Sequence, residues 1–185
     1  MPERDDIASV LATIDVLQRK LTELRKGIYR DIQTGELPEG RADLLSCRVG
    51  RSVVALPLDR VQSVVLRCSL TPVPEAPSWV AGLLDFRGEV VPVLDLHTRL
   101  NRESLPPSLR DVILVCRDGE RRAGFVAQAI GAVHFDAALE PTDDLHEVPH
   151  APYVMAVAHL DGAAAVVLSM GRLLAALELV EIEAS

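Results

Sequence analysis

Two hydrophobic periods divide the chain. Between residues 5 and 30, apolar side chains recur at alternating spacings of three and four: Ile7, Val10, Ile14, Leu17, Leu21, Leu24 and Ile28. This is the period of a helix with one apolar stripe, a heptad seam kept for about three repeats. Asp5 and Asp6 stand where an N-cap and a first-turn acid belong. Gly27 weakens the last turn, the seam ends at Asp31, and Gln33-Thr34-Gly35-Glu36-Leu37-Pro38-Glu39-Gly40 reads as a linker. The pattern therefore predicts an N-terminal amphipathic helix with its linker over residues 1–40, and a second unit over 41–185.

The stripe has two readings. It covers an apolar patch of its own chain, or it pairs with a partner helix. The flanking charges bear on the second reading. With Ile7 at heptad position a, Lys20 falls at g and Arg25 at e, so a parallel homodimer would oppose two cations. Thr13 and Gln18, at the equivalent places one heptad earlier, are neutral. Pairing, if it occurs, is expected to be antiparallel or with a different chain.

From Ala42 onward the period changes. Short runs rich in Val, Leu and Ala cover 44–49, 53–56, 61–66, 82–86, 90–94, 112–116, 124–127, 130–135, 153–160 and 164–168. Val49-Gly50-Arg51-Ser52, Arg117-Asp118-Gly119-Glu120 and Leu160-Asp161-Gly162-Ala163 are hairpin candidates, because Asp-Gly suits the positive φ of a type I′ turn. About ten short strands with no long helix between them predict an antiparallel barrel or sandwich. Helical pieces are expected only at 96–100 and 171–177.

Composition narrows the function. Aromatic residues make up 3% of the chain, so the core must be aliphatic. The net charge of −8 disfavours a phosphate backbone or anionic lipid as partner, since both select clustered Lys and Arg. No apolar run reaches the ~20 residues a membrane helix needs. Met-Pro-Glu-Arg-Asp-Asp lacks the basic-then-apolar order of a secretory signal, so a cytoplasmic protein without direct membrane insertion is expected. Cys47, Cys68 and Cys116 are widely spaced with no CxxC, and Cys47 and Cys116 sit in apolar runs as core residues do.

His146-Glu147-Val148-Pro149-His150 satisfies the HExxH pattern of zinc proteases, whose histidines must share one face of a helix. Pro149 lies between them, Pro152 follows and Pro141 precedes, and interior prolines cost a helix about 3 kcal/mol each. A loop is the expected reading, and no metal, cofactor or catalytic residue is assigned. His97, His134 and His159 read as surface or hydrogen-bonded strand residues.

The most informative stretch is Thr71-Pro72-Val73-Pro74-Glu75-Ala76-Pro77-Ser78-Trp79-Val80-Ala81-Gly82-Leu83-Leu84-Asp85-Phe86-Arg87-Gly88-Glu89-Val90-Val91-Pro92-Val93-Leu94-Asp95-Leu96. The prolines hold the lead-in extended and remove ladder donors. Gly82 opens a strand, Arg87-Gly88 turns it, and Glu89–Leu94 returns beside it, with Pro92 implying an edge or a bulge. An arginine at the hairpin tip is well placed to meet another protein.

This stretch resembles the signature of the CheW family. There, prolines lead into a Trp/Tyr-Val-x-Gly-Leu-hydrophobic-Asn-hydrophobic-Arg-Gly hairpin and then a Val-x-Pro-hydrophobic-hydrophobic-Asp-Leu strand. Residues 44–67 are similar to the family's opening strands, 111–134 to its middle hairpins, and 153–177 to its closing strands and helix, so the resemblance spans about residues 42–178. It departs at Asp85, where Asn is usual, and at Ala127-Gln128, Ala156-Val157-Ala158 and Val167-Leu168-Ser169-Met170.

The resemblance implies a mainly β fold of two SH3-like five-stranded barrels on a shared core. It also implies a non-enzymatic adaptor that joins the cytoplasmic tips of methyl-accepting chemoreceptors to the regulatory domain of a CheA-type histidine kinase. The protein-binding residues it implies are Val80, Leu83, Phe86 and Arg87, with Asp85 and Glu89 alongside. The alternative is a divergent CheW-like regulator whose N-terminal helix docks on the barrels or takes a different partner.

Overall fold

A computed structural model of the chain describes residues 40–100, 106–141 and 151–175. The strands are β1 (Arg41–Val49), β2 (Ser52–Pro57), β3 (Val61–Leu66), β4 (Val80–Phe86), β5 (Glu89–Asp95), β6 (Val112–Asp118), β7 (Arg121–Ala127), β8 (Ala129–Ala138), β9 (Glu140–Pro141), β10 (Val154–Leu160) and β11 (Ala163–Leu168). A one-turn helix, α1 (Leu96–Arg99), follows β5, and residues 170–175 are helical (α2). All ten expected strands are present. The two-residue β9 is additional, and the predicted seam of residues 7–28 lies outside the described residues.

The strands form two sheets, ordered β8-β1-β2-β11-β10-β9 and β3-β6-β7-β5-β4. Each closes on itself. β8 pairs with β1, and β9, one residue further along the same run, pairs with β10. That single run of chain therefore stands at both ends of the first sheet and makes it a barrel. In the second, β3 pairs with β6, and the chain just beyond it returns at Thr71 to bridge Leu83 of β4, with N–H···O bonds of 2.9 and 2.8 Å. The result is two SH3-like barrels, the second built wholly from the chain between β2 and β8.

Neither barrel is purely antiparallel. β2 pairs in parallel with β11, and β5 with β7. Pro92 also departs from expectation, since β5 is an interior strand between β7 and β4. The β5–β7 ladder begins only at Val93, so the missing Pro92 N–H costs no ladder bond. At Asp161-Gly162 both residues have positive φ, as a type I′ turn requires. At the β6–β7 turn Asp118 stays in the strand, and positive φ falls on Gly119.

Most strands read as continuous apolar runs because both faces are buried. In β1, Leu45, Cys47 and Val49 face a core shared by the barrels, while Leu44 faces the first barrel's interior. In β6, Val112, Leu114 and Cys116 face the shared core, and Ile113 and Val115 face the second barrel's interior. Met170, Leu173 and Leu174 of α2 complete the shared core. Ser169 starts that helix, its Oγ accepting from the Arg172 N–H at 3.4 Å.

The cysteines follow this layout. Cys47 and Cys116 are buried and Cys68 is exposed. Burial pushes the Cys47 thiol up to about 12. Cys116 is raised further, by burial first and by the neighbouring Cys47 second. At pH 8 a thiol reagent is expected to modify Cys68 rapidly, and Cys47 and Cys116 only at the rate of unfolding. Rapid release of three equivalents from the native protein would contradict this packing.

Candidate protein-docking site

The β4–β5 hairpin forms part of the wall of the second barrel and has a braced base. Thr71 is tied to Leu83, the Val80 N–H donates to the Pro77 carbonyl at 2.8 Å, and the Asp95 N–H donates to the Trp79 carbonyl at 2.8 Å. The register pairs Leu83 with Pro92, Leu84 with Val91, Asp85 with Val90 and Phe86 with Glu89. Cross-strand partners share a face. Leu84 and Val91 are buried inward, whereas Asp85 and Val90 lie on the outer face.

Each sequence-predicted residue has a definite place. Val80 and Leu83 are half-buried and belong to none of the buried clusters, with Leu83 beside Pro92 on the outer face. Phe86 turns inward and packs against the interior cluster that holds Leu84 and Val93. Arg87 is exposed at the tip with φ 58°, followed by Gly88 at φ 83°. A left-handed arginine is uncommon, and two local contacts hold it. Its guanidinium lies 5.1 Å from the Phe86 ring centre, and the Asp85 carboxylate accepts from the Gly88 N–H at 2.8 Å. Asp85 is thus a brace of the turn. Glu89 pairs with Arg122 of β7, which ties the hairpin to its neighbour.

Sequence reasoning missed Val90, which is 71% exposed. In a run such as Glu89–Asp95, whose register decides which residues face out, no local signal separates Val90 from the buried Val91. The outer face therefore carries Leu83, Pro92 and Val90 beside Asp85 and the Arg87 tip. That is an apolar strip with charges of both signs, suited to contact with a protein surface rather than to bond-making.

The histidines were placed only partly as expected. His159 is an exposed strand residue whose Nδ1 lies 3.3 Å from Glu140. His134 contacts Ser46 Oγ at 3.2 Å and Asp161 at 3.9 Å through the same Nε2. Ser46 Oγ is also bonded to the Ala132 backbone, so this is no nucleophile–base relay. His97 differs from expectation: it is buried on α1, its Nδ1 has no partner among the described residues, and its ring fills the space a side chain at Gly50 would need. His146 and His150 lie outside the described residues. Among the described residues no group of three or more His, Cys, Asp or Glu could hold a metal ion, and no helix is long and apolar enough to cross a membrane.

Two closed small barrels on one core, with the Arg87 hairpin in the wall of the second, define a double-barrel β module. Residues 43–178 match the family model of the CheW-like domain, and the chain belongs to that family. It is 30% identical over 111 residues to Chemotaxis protein CheW of Rhizobium meliloti (strain 1021), covering 59% of this chain and 72% of that one. It is 36% identical over 83 residues to Protein FrzA of Myxococcus xanthus, covering 45% of this chain and 52% of that one. The crystal structure of scaffolding protein TtCheW from Thermoanaerobacter tengcongensis shares the fold. Its TM-score is 0.65 at 22% identity, over 70% of this chain and 90% of that chain.

Proposed function

We propose that this chain is a non-enzymatic adaptor of a bacterial chemosensory pathway, working in the cytoplasm. Its partners are the tip of a methyl-accepting chemoreceptor and the regulatory domain of a CheA-type histidine kinase. The family match and the relatives named for chemotaxis support a chemosensory role. The observation that carries the contact role is the hairpin: Arg87 exposed at its tip, with Val90 and Leu83 on the outer face behind it. The second unit, 41–185, is the docking module, and the N-terminal unit of residues 1–40 is an appendage to it.

Arg87→Glu tests the reading. Arg87 is exposed and stacks on Phe86, and glutamate meets the same left-handed backbone, so stability should move by no more than about 0.5 kcal/mol. An interface arginine at a hot spot costs about 2 kcal/mol or more, roughly 30-fold in affinity, when it is lost. Calorimetric titration against the kinase regulatory domain and a receptor-tip peptide, with melting measured alongside, separates the two effects. Undiminished binding to both partners overturns the site. A collapsed melting temperature makes Arg87 a structural brace and leaves the adaptor reading to stand on other residues.

A further inference from the structure

Trp79, Arg99 and Tyr153 form a stack that joins the two barrels. The guanidinium carbon of Arg99 lies 4.3 Å from the Trp79 ring centre and 4.7 Å from that of Tyr153. A cation over a ring face is attracted by the ring quadrupole, more strongly where water is excluded. Arg99 is half-buried, and its buried Nε has no hydrogen-bond partner among the described residues. The contacts the guanidinium makes among the described residues are with the faces of these two rings. Both rings rest in turn on the shared core.

The members of the stack come from different places. Trp79 directly precedes β4, and its carbonyl is bonded to Asp95 at the end of β5. The Asp95 carboxylate caps α1, accepting from the His97 and Thr98 N–H groups at 2.8 and 3.2 Å, and Arg99 is the last residue of that helix. Trp79 and Arg99 therefore both belong to the foot of the β4–β5 hairpin. Tyr153 belongs to the other barrel: it leads into β10, and its carbonyl accepts from the Ser169 N–H at 2.8 Å.

We infer that Arg99 is a positioning residue, whose guanidinium clasped between Trp79 and Tyr153 fixes the docking hairpin against the first barrel and so pre-organises it for its partner. The inference rests on the adaptor reading of the hairpin. A hairpin already fixed loses less conformational freedom on binding, which appears as affinity without a new contact. Arg99 need not touch the partner to contribute.

Trp79 is the only tryptophan in the chain, so its emission reports the stack directly. Tyr153→Phe keeps the ring face and Tyr153→Leu removes it; Arg99→Lys keeps the cation and Arg99→Met removes it. In the full chain, Tyr153→Leu and Arg99→Met are expected to shift Trp79 emission and to weaken binding of the kinase regulatory domain by about three- to tenfold. The double variant should be no weaker than the worse single one, because both break one stack. Tyr153→Phe should bind as the parent does, and Arg99→Lys should recover part of the loss. Shifted emission with unchanged binding overturns the inference, as does Tyr153→Phe weakening binding as much as Tyr153→Leu. Should Arg99→Met fail to fold, the two Tyr153 variants decide. Arg87→Glu serves as the reference. If it weakens binding and the Arg99 and Tyr153 variants do not, only this inference falls; if it too is silent, the docking reading falls with it.

Discussion

Replacing Phe125 with alanine is expected to lower the unfolding free energy by about 3–5 kcal/mol and to do so for both barrels at once. Phe125 is fully buried in the shared core, opposite Leu114 on one side and Leu94 on the other. The same cluster holds Leu45, Cys47, Val54 and Leu56 from the first barrel. A cavity there removes contacts from both barrels, and close-packed surroundings recover only part of the loss. Since domains are stable by only about 5–15 kcal/mol, this is a large fraction of the whole. Urea denaturation should show one transition, its midpoint lowered and its slope unchanged. Two separate transitions, only one of them displaced, would show that the barrels fold independently and that the shared core is not their common support.

The second large effect is expected at Gly82. Its φ of 138° lies where L side chains are rarely found, and a Cβ there would meet the Thr71 carbonyl oxygen at 2.7 Å and the Leu70 Cβ at 2.9 Å. Neither neighbour can retreat easily, because Thr71 is held to Leu83 by the two hydrogen bonds that close the second barrel. The backbone conformation alone costs about 1–3 kcal/mol, and the overlap adds to it. Gly88 provides the comparison: its φ is 83°, yet a Cβ there meets nothing within 4 Å. Gly82→Ala should therefore destabilise by about 3 kcal/mol or more, and Gly88→Ala by only about 1 kcal/mol. Chemical denaturation of the two variants side by side measures the difference. Equal losses would mean that the closing bridge yields at no cost.

Much of the architecture was legible in local residues. The ten apolar runs became ten strands, those such as β6 and β7 because a strand buried on both faces needs only apolar side chains bounded by turn residues. Asp161-Gly162 and Arg87-Gly88 marked turns because positive φ is a property of a few residues and their neighbours. The proline-rich lead-in, Trp79 and the Arg87 tip were enough to suggest the family, whose match covers residues 43–178.

Elsewhere, local pattern was silent or misleading. Pro92 suggested an edge or a bulge; register placed it in an interior strand, at a point its ladder with β7 does not reach. Val90 and Val91 are the same residue type in sequence, and only pairing with Asp85 turned the first outward. His97 read as a surface or hydrogen-bonded strand residue, but the β1–β2 turn closes over it. The amino-acid sequence by itself thus determined where strands and turns fall, since period and backbone preference are set within a few residues. Only the tertiary structure decided how the rings close, which face of each strand meets the shared core, and that Glu89 meets Arg122 and Arg99 meets Tyr153. Those outcomes depend on register and on contacts between residues far apart in the chain, where a one-residue slip reverses every side chain.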